Sequence, residues 1–145
     1  MLQIKIEAAP TLEMRSAIAT PLVRFNEIHA NRPEDFRLLA IPLSDPSTNE
    51  IVGGLWGSTM FSHLHVDLLF VPEAMRGRGI GRQLLTGAEA EAVRRGCLGA
   101  WLDTYSFQAR GFYERVGYSV FGSIDNYPPG HSRIFLKKVL DTSLS

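Results

Sequence analysis

Cys97 is the chain's single cysteine, so no intramolecular disulfide can form, and a reducing compartment suits it. It follows Arg94-Arg95-Gly96 at an expected helix end and is expected as a buried or half-buried thiol, because free cysteine behaves as a small hydrophobe. Long apolar runs are absent too: none approaches the ~20 residues that cross a bilayer. The first ten residues carry no basic stretch leading into an apolar one, so a secretory leader is not expected. Neither sign of charge is in excess, with 15 Lys and Arg against 15 Asp and Glu. That balance gives no overall reason to expect nucleic acid or an anionic membrane as partner. Repeats, low-complexity tracts and linkers are missing. What remains is one cytoplasmic domain over residues 1–145, with enough apolar content (45%) to bury a core without staples.

Periodicity divides the chain. Gln3 to Ala8 alternates polar and apolar residues, as a strand does, and Pro10 stops it. Thr11 is placed to cap a helix carrying Met14, Ile18, Leu22 and Phe25 on one side. Pro21 is expected to break or kink that helix, leaving residues 26–35 as a short helix or loop. Phe36–Leu43 and Ile51–Met60 read as a hairpin around the turn cluster Ser44 to Glu50. Gly53, Gly54 and Gly57 in its second strand suit a sheet with a close neighbour. His63–Val71 is the next strand. Ile80, Leu84, Leu85, Ala88 and Ala92 form the apolar stripe of a helix that Gly96 ends. A strand (Ala100–Tyr105), a short helix (Phe107–Val116) and two strands (Tyr118–Ser123, His131–Val139) complete an α/β (α+β) order, a mixed sheet flanked by helices.

The most informative segment is the turn Arg76-Gly77-Arg78-Gly79-Ile80-Gly81-Arg82, between a strand and a helix. Glycines let backbone N–H groups approach a ligand closely, and a helix start offers unpaired donors and a positive dipole end. Together they suit a pyrophosphate. A nucleotide P-loop is excluded, because Gly81 is followed by Arg82-Gln83 where Lys-Ser/Thr is required. A dinucleotide fingerprint also fails, since Arg82 stands at its third glycine. A plain strand-to-helix turn stays open on glycine spacing alone.

The fuller pattern, Leu69-x-Val71 followed by Arg76-x-x-Gly79-x-Gly81 and Leu84-Leu85, resembles the acetyl-CoA loop of the GNAT superfamily of N-acetyltransferases. Ala109-Arg110-Gly111-Phe112-Tyr113-Glu114-Arg115-Val116-Gly117-Tyr118 is similar to that family's second motif, Ala-x-x-Phe-Tyr-x-x-x-Gly-Phe/Tyr. The resemblance covers residues 51–118 well, the last strands loosely and the first 50 by element order. Leu102 to Ala109 also resembles a bacterial subgroup with mostly unassigned substrates. The implied fold is a mixed, mostly antiparallel central sheet of about seven strands flanked by helices. The implied reaction is direct transfer of an acetyl group from acetyl-CoA to a primary amine of a small molecule or a peptide. A longer acyl-CoA donor or a non-catalytic acyl-CoA-binding module would share these motifs. The chain is expected as a monomer or homodimer.

By resemblance, cofactor contacts fall on Leu69, Phe70 and Val71, on Arg76, Gly77, Arg78, Gly79, Ile80, Gly81 and Arg82, and on Ser106, Ala109 and Phe112. Ser106 stands where many members carry Asn, and it keeps a hydrogen-bonding group of shorter reach. The backbone N–H near Val71 would meet the thioester carbonyl. Tyr113 would protonate the departing thiolate. Asp67 interrupts the apolar stretch Val66 to Phe70, which points it away from the core, and stands near where some members carry a catalytic Glu, so the resemblance makes it the candidate general base. His63 and His65 share its strand face at period 2 and suit an acceptor pocket. No metal is expected there, since the chemistry needs none. His131 reads as a turn or rim residue.

Overall fold

The computed structural model describes residues 1–108 and 110–144. The chain divides into two compact units, Met1–Glu34 and Asp35–Ser145.

In the first unit, residues 1–7 form no strand, and Ile4 and Ile6 stand 99% and 96% exposed. Alternation alone cannot make a strand: its N–H and C=O groups need a neighbouring strand to pair with. Helix α1 spans Leu12–Ala30. Thr11 Oγ1 accepts the Met14 N–H at 3.1 Å, as expected of an N-cap. Pro21 lies inside the helix and does not end it. Proline removes one backbone donor, and the turns on either side, capped at both ends, keep the rest. Termination waits for Asn31, in the left-handed conformation (φ 54°, ψ 40°), whose N–H reaches the Glu27 and Ile28 carbonyls.

The second unit holds a six-stranded sheet in the order β1-β2-β3-β4-β6-β5. The strands are β1 (Arg37–Ser44), β2 (Ile51–Met60), β3 (His63–Phe70), β4 (Gly99–Tyr105), β5 (Ser119–Asp125) and β6 (Ser132–Val139). Every neighbouring pair is antiparallel except β3–β4. The sheet is therefore mixed and mostly antiparallel, with one strand fewer than expected because the N-terminal one does not form. Helix α2 (Ile80–Arg94) buries Leu84, Leu85, Ala88 and Ala92. They join Leu39, Leu55, Leu64, Val66, Ala100, Leu102 and Leu136 in the core. Cys97, 1% exposed, belongs to it as well. Helix α3 (Arg110–Arg115) follows β4.

Two polar ties hold α2. Arg95 donates to Glu91, to the Leu38 carbonyl and to Thr59 Oγ1, fastening the helix end to β1 and β2. Glu89 accepts from Lys138 Nζ and from the Tyr118 hydroxyl, each at 2.8 Å. Lys138 also donates to the Val116 carbonyl, so this cluster gathers α2, β6 and the end of α3.

Two irregularities in β3 position the site. It pairs with β4 only from His63 to Val66, against Gly99 to Leu102. Beyond Val66 the two parallel strands part. At the same point the β2 register jumps: Gly57 faces Val66 and Trp56 faces Leu68, which leaves Asp67 unpaired in a bulge. Gly57 is required here, because a Cβ would lie 2.3 Å from the His65 carbonyl oxygen. The close neighbours expected of the β2 glycines are thus the flanking strands themselves.

Candidate active site

Where β3 and β4 part, a cleft of about 740 Å³ opens. One wall is the end of β3 and the residue after it, Leu69 to Val71. The floor is the glycine turn and the start of α2. The far wall is Thr104, Phe107, Gln108, Phe112, Tyr113 and Arg115. The turn is locked to the strand by Arg76, whose Nε donates to the Val71 carbonyl at 2.9 Å. Its guanidinium carbon lies 5.9 Å from the centre of the Phe70 ring.

Gly79 is the N-cap of α2 in the left-handed conformation (φ 73°), and no side chain caps that end. The N–H groups of Ile80, Gly81 and Arg82 belong to the first helical turn and have no partner within the helix. All three residues line the cleft, with Arg82 and Arg115 adding positive charge. Nothing lies within 4 Å of a Cβ built on Gly77 or Gly79, so the space above the turn is open. Gly81 differs: a Cβ there would meet Phe112 Cζ at 3.3 Å. Helices α2 and α3 close on each other at that point. Such an arrangement suits an anion at the glycine end of the cleft.

Tyr113 borders the cleft on α3. Its ring packs edge-on against Phe112 and Tyr118, with centroids 5.1 and 6.3 Å away. Burial pushes its phenol pKa up, and the charge of Asp103 adds to the shift. A phenol held neutral in a cleft is a proton donor in waiting.

The match to the acetyltransferase (GNAT) family covers residues 5–118. An acetyltransferase of Agrobacterium fabrum is 44% identical over 126 residues, 87% of this chain and 90% of its own. The blasticidin-S acetyltransferase of Streptomyces morookaense is 48% identical over 92 residues, 63% of this chain and 68% of its own. A crystal structure from Agrobacterium tumefaciens superposes with a TM-score of 0.86 at 40% identity, over 95% of this chain and 99% of that one. The chain belongs to the GNAT acetyltransferase family.

Of the residues expected to contact cofactor in this acetyltransferase, Leu69, Phe70, Val71, Arg76, Gly77, Gly79, Ile80, Gly81, Arg82 and Phe112 line the cleft together with Tyr113. Arg78 and Ser106 do not border it. The Ser106 hydroxyl accepts the Ser132 N–H at 2.9 Å, and its own N–H donates to the Ser132 carbonyl, fastening the end of β4 to β6. Ala109 lies outside the described residues. Met75, Thr104, Phe107, Gln108 and Arg115 also line the cleft, unanticipated from sequence. Gln108 Oε1 accepts from Thr104 Oγ1 and from the Tyr105 N–H, both at 2.9 Å, and so fixes the turn into α3. Arg115 sits inside the second motif and Gln108 directly before it, which was the available signal for them.

Asp67 lies outside the cleft lining, in its bulge, with the carboxylate 40% exposed. His65 Nδ1 meets Asp67 Oδ1 at 2.7 Å. The His65 ring stacks on Trp101 with centroids 3.7 Å apart and planes 6° apart. His63 turns instead to the Phe61 carbonyl, 3.0 Å away. Among the described residues, no group of three or more His, Cys, Asp or Glu side chains is placed to hold a metal ion. His131 is exposed, its ring edge-on to Phe107 at 5.0 Å.

Proposed function

We propose that this chain, acting as one domain over residues 1–145, passes the acetyl group of acetyl-CoA directly to a primary amine of a small molecule. The observation that carries the reading is the cleft between the parted strands β3 and β4, continuous from the glycine turn to Tyr113. In this reading the pyrophosphate rests on the first N–H groups of α2, and the pantetheine arm runs beside Leu69 to Val71. The Val71 N–H meets the thioester carbonyl and stabilises its developing negative charge. The acceptor ammonium gives one proton to Asp67. Its nitrogen then bonds to the thioester carbon, the C–S bond breaks, Tyr113 protonates the thiolate, and the second proton of the acylated nitrogen restores the phenol. Amide and free CoA leave. A small-molecule acceptor is favoured because a relative 48% identical is a blasticidin-S acetyltransferase.

The test is thiol release from acetyl-CoA across a panel of small amines that includes blasticidin S, with the product identified by mass. Acetylated amine together with one thiol per transfer is expected. Binding of acetyl-CoA with no transfer to any amine would replace the reading with an acyl-CoA-binding regulatory module. Faster turnover with propionyl-CoA or butyryl-CoA would replace the donor.

A further inference from the structure

We infer that His65 is the positioning residue that holds the Asp67 carboxylate toward the acceptor amine, an inference resting on the reading of Asp67 as base. Asp67 has a particular difficulty. It sits in a bulge with no register partner, so the sheet does not fix its side chain. A base must be held within hydrogen-bond reach of the proton it takes. The 2.7 Å contact from His65 Nδ1 to Asp67 Oδ1 supplies that restraint. At that distance one proton must lie between the two atoms, because two lone pairs would repel. With Nδ1–H donating to Oδ1, the second oxygen is left for the ammonium.

The imidazole itself has little freedom. It lies flat on Trp101, and β4 holds that tryptophan in register beside it. Its other nitrogen, Nε2, is buried and has no hydrogen-bond partner. Asp103 Oδ2 lies 4.0 Å from it, too far for a hydrogen bond. Arg133 accounts for that gap. Its Nε holds Asp103 Oδ1 at 2.8 Å, and its guanidinium is fixed by the Tyr127 hydroxyl, also at 2.8 Å. Asp103 thus gives His65 negative charge without a bond, and the one directed contact of the ring is the one to Asp67. A buried polar atom left unpaired is costly. The fold keeps that cost where it leaves His65 one directed task.

Two amides separate this role from a structural one. Asparagine places its amide nitrogen at the bond count of Nδ1, and glutamine places its own at that of Nε2. With acetyl-CoA and blasticidin S as the probes, His65→Gln is expected to lower kcat by about 10²-fold, the cost of a misplaced catalytic group, with the KM for acetyl-CoA unchanged. His65→Asn is expected to recover most of the loss. In an Asp67→Asn background, His65→Gln should add nothing further, because the two act as a unit. Equal losses for Asn and Gln, or additive losses in the double variant, would overturn the inference. A fully active Asp67→Asn would instead overturn Asp67 as base. An imidazole ¹⁵N spectrum needs no acceptor: a hydrogen-bonded Nδ1 proton is expected in the native chain and lost in Asp67→Ala, which removes the accepting oxygen. Its absence from the native chain would also overturn the assignment.

Discussion

Half-buried Tyr113 and buried Cys97 both have raised pKa values, and their surroundings give them opposite relations to the reaction. For Tyr113, burial is the leading cause and the Asp103 charge the second. A general acid must keep its proton until the thiolate forms, and a phenol raised above its ordinary value near 10 does so throughout the neutral range. The sign follows: activity that depends on this proton is lost only as pH climbs through the raised value. No alkaline fall in kcat below pH about 10 should therefore trace to Tyr113. A fall centred near pH 8 that vanishes in Tyr113→Phe would contradict this. The same variant should lower kcat by about 10²–10⁴-fold, the usual share of general acid catalysis, with acetyl-CoA affinity retained. Unchanged turnover would remove Tyr113 from the mechanism. Cys97 is also raised by burial, but it lies within the core instead of bordering the cleft. The thiolate is the reactive form, so a raised, buried thiol is inert. A water-soluble thiol reagent is expected to label the unfolded chain quickly and the native chain hardly at all. Rapid labelling of native protein, or loss of transfer in Cys97→Ala without loss of fold, would return Cys97 to the mechanism.

Among the elements, α2 decides most, because it carries both the proposed anion cradle and the core stripe. Gly79 and Gly81 separate these duties. A side chain at Gly79 meets open space but must adopt φ 73°, at a strain of about 1–2 kcal/mol. A side chain at Gly81 meets Phe112 at 3.3 Å, which pushes the helix start off α3 and narrows the cleft. Gly81→Val is accordingly expected to weaken acetyl-CoA binding by at least tenfold, read by titration. Equal affinity would mean the cradle lies elsewhere. Glu89 answers to Tyr118 and Lys138 at once, so Glu89→Ala leaves the buried Tyr118 hydroxyl unpaired and Lys138 with only the Val116 carbonyl. It should cost about 2–4 kcal/mol in denaturant unfolding while acetyl-CoA still binds. The elements that could be read in advance are those whose signal is local: the stripe Leu84–Leu85–Ala88–Ala92, the N-cap Thr11, and the glycine turn with its two flanking motifs. Those that escaped depend on what a strand or loop meets across the fold. The alternation of Gln3 to Ala8 has no partner to pair with. The bulge that frees Asp67 exists only as a register jump between β2 and β3. Ser106 stands at a position where many members carry Asn, yet the Ser132 backbone claims its hydroxyl, a contact 26 residues away in sequence. The parting of β3 from β4, which makes the cleft, is likewise a pairing event and leaves no mark on either strand alone.

Taken whole, the proposed function requires two things that can be measured without knowing the acceptor: acetyl-CoA should bind the native state, and the chain should unfold as the single domain we propose. Helices in proteins draw most of their stability from tertiary packing rather than from propensity, so residues 1–34, which hold one helix, have little means of standing alone. One thermal transition is therefore expected, with far-ultraviolet circular dichroism and tryptophan fluorescence falling together. Acetyl-CoA at ~100 times its Kd stabilises the native state by about 2.7 kcal/mol. For a chain of 145 residues that corresponds to a rise in Tm of about 5–10 °C. The rise should shrink in Gly81→Val and persist in Tyr113→Phe, because the first disturbs the cradle and the second the acid alone. Two separated transitions would refute the single domain. A rise that neither variant alters would place the cofactor away from the cleft. No rise at millimolar acetyl-CoA would leave the cleft to another donor, and propionyl-CoA and free CoA, run in the same assay, would show whether the acyl chain or the nucleotide end is at fault.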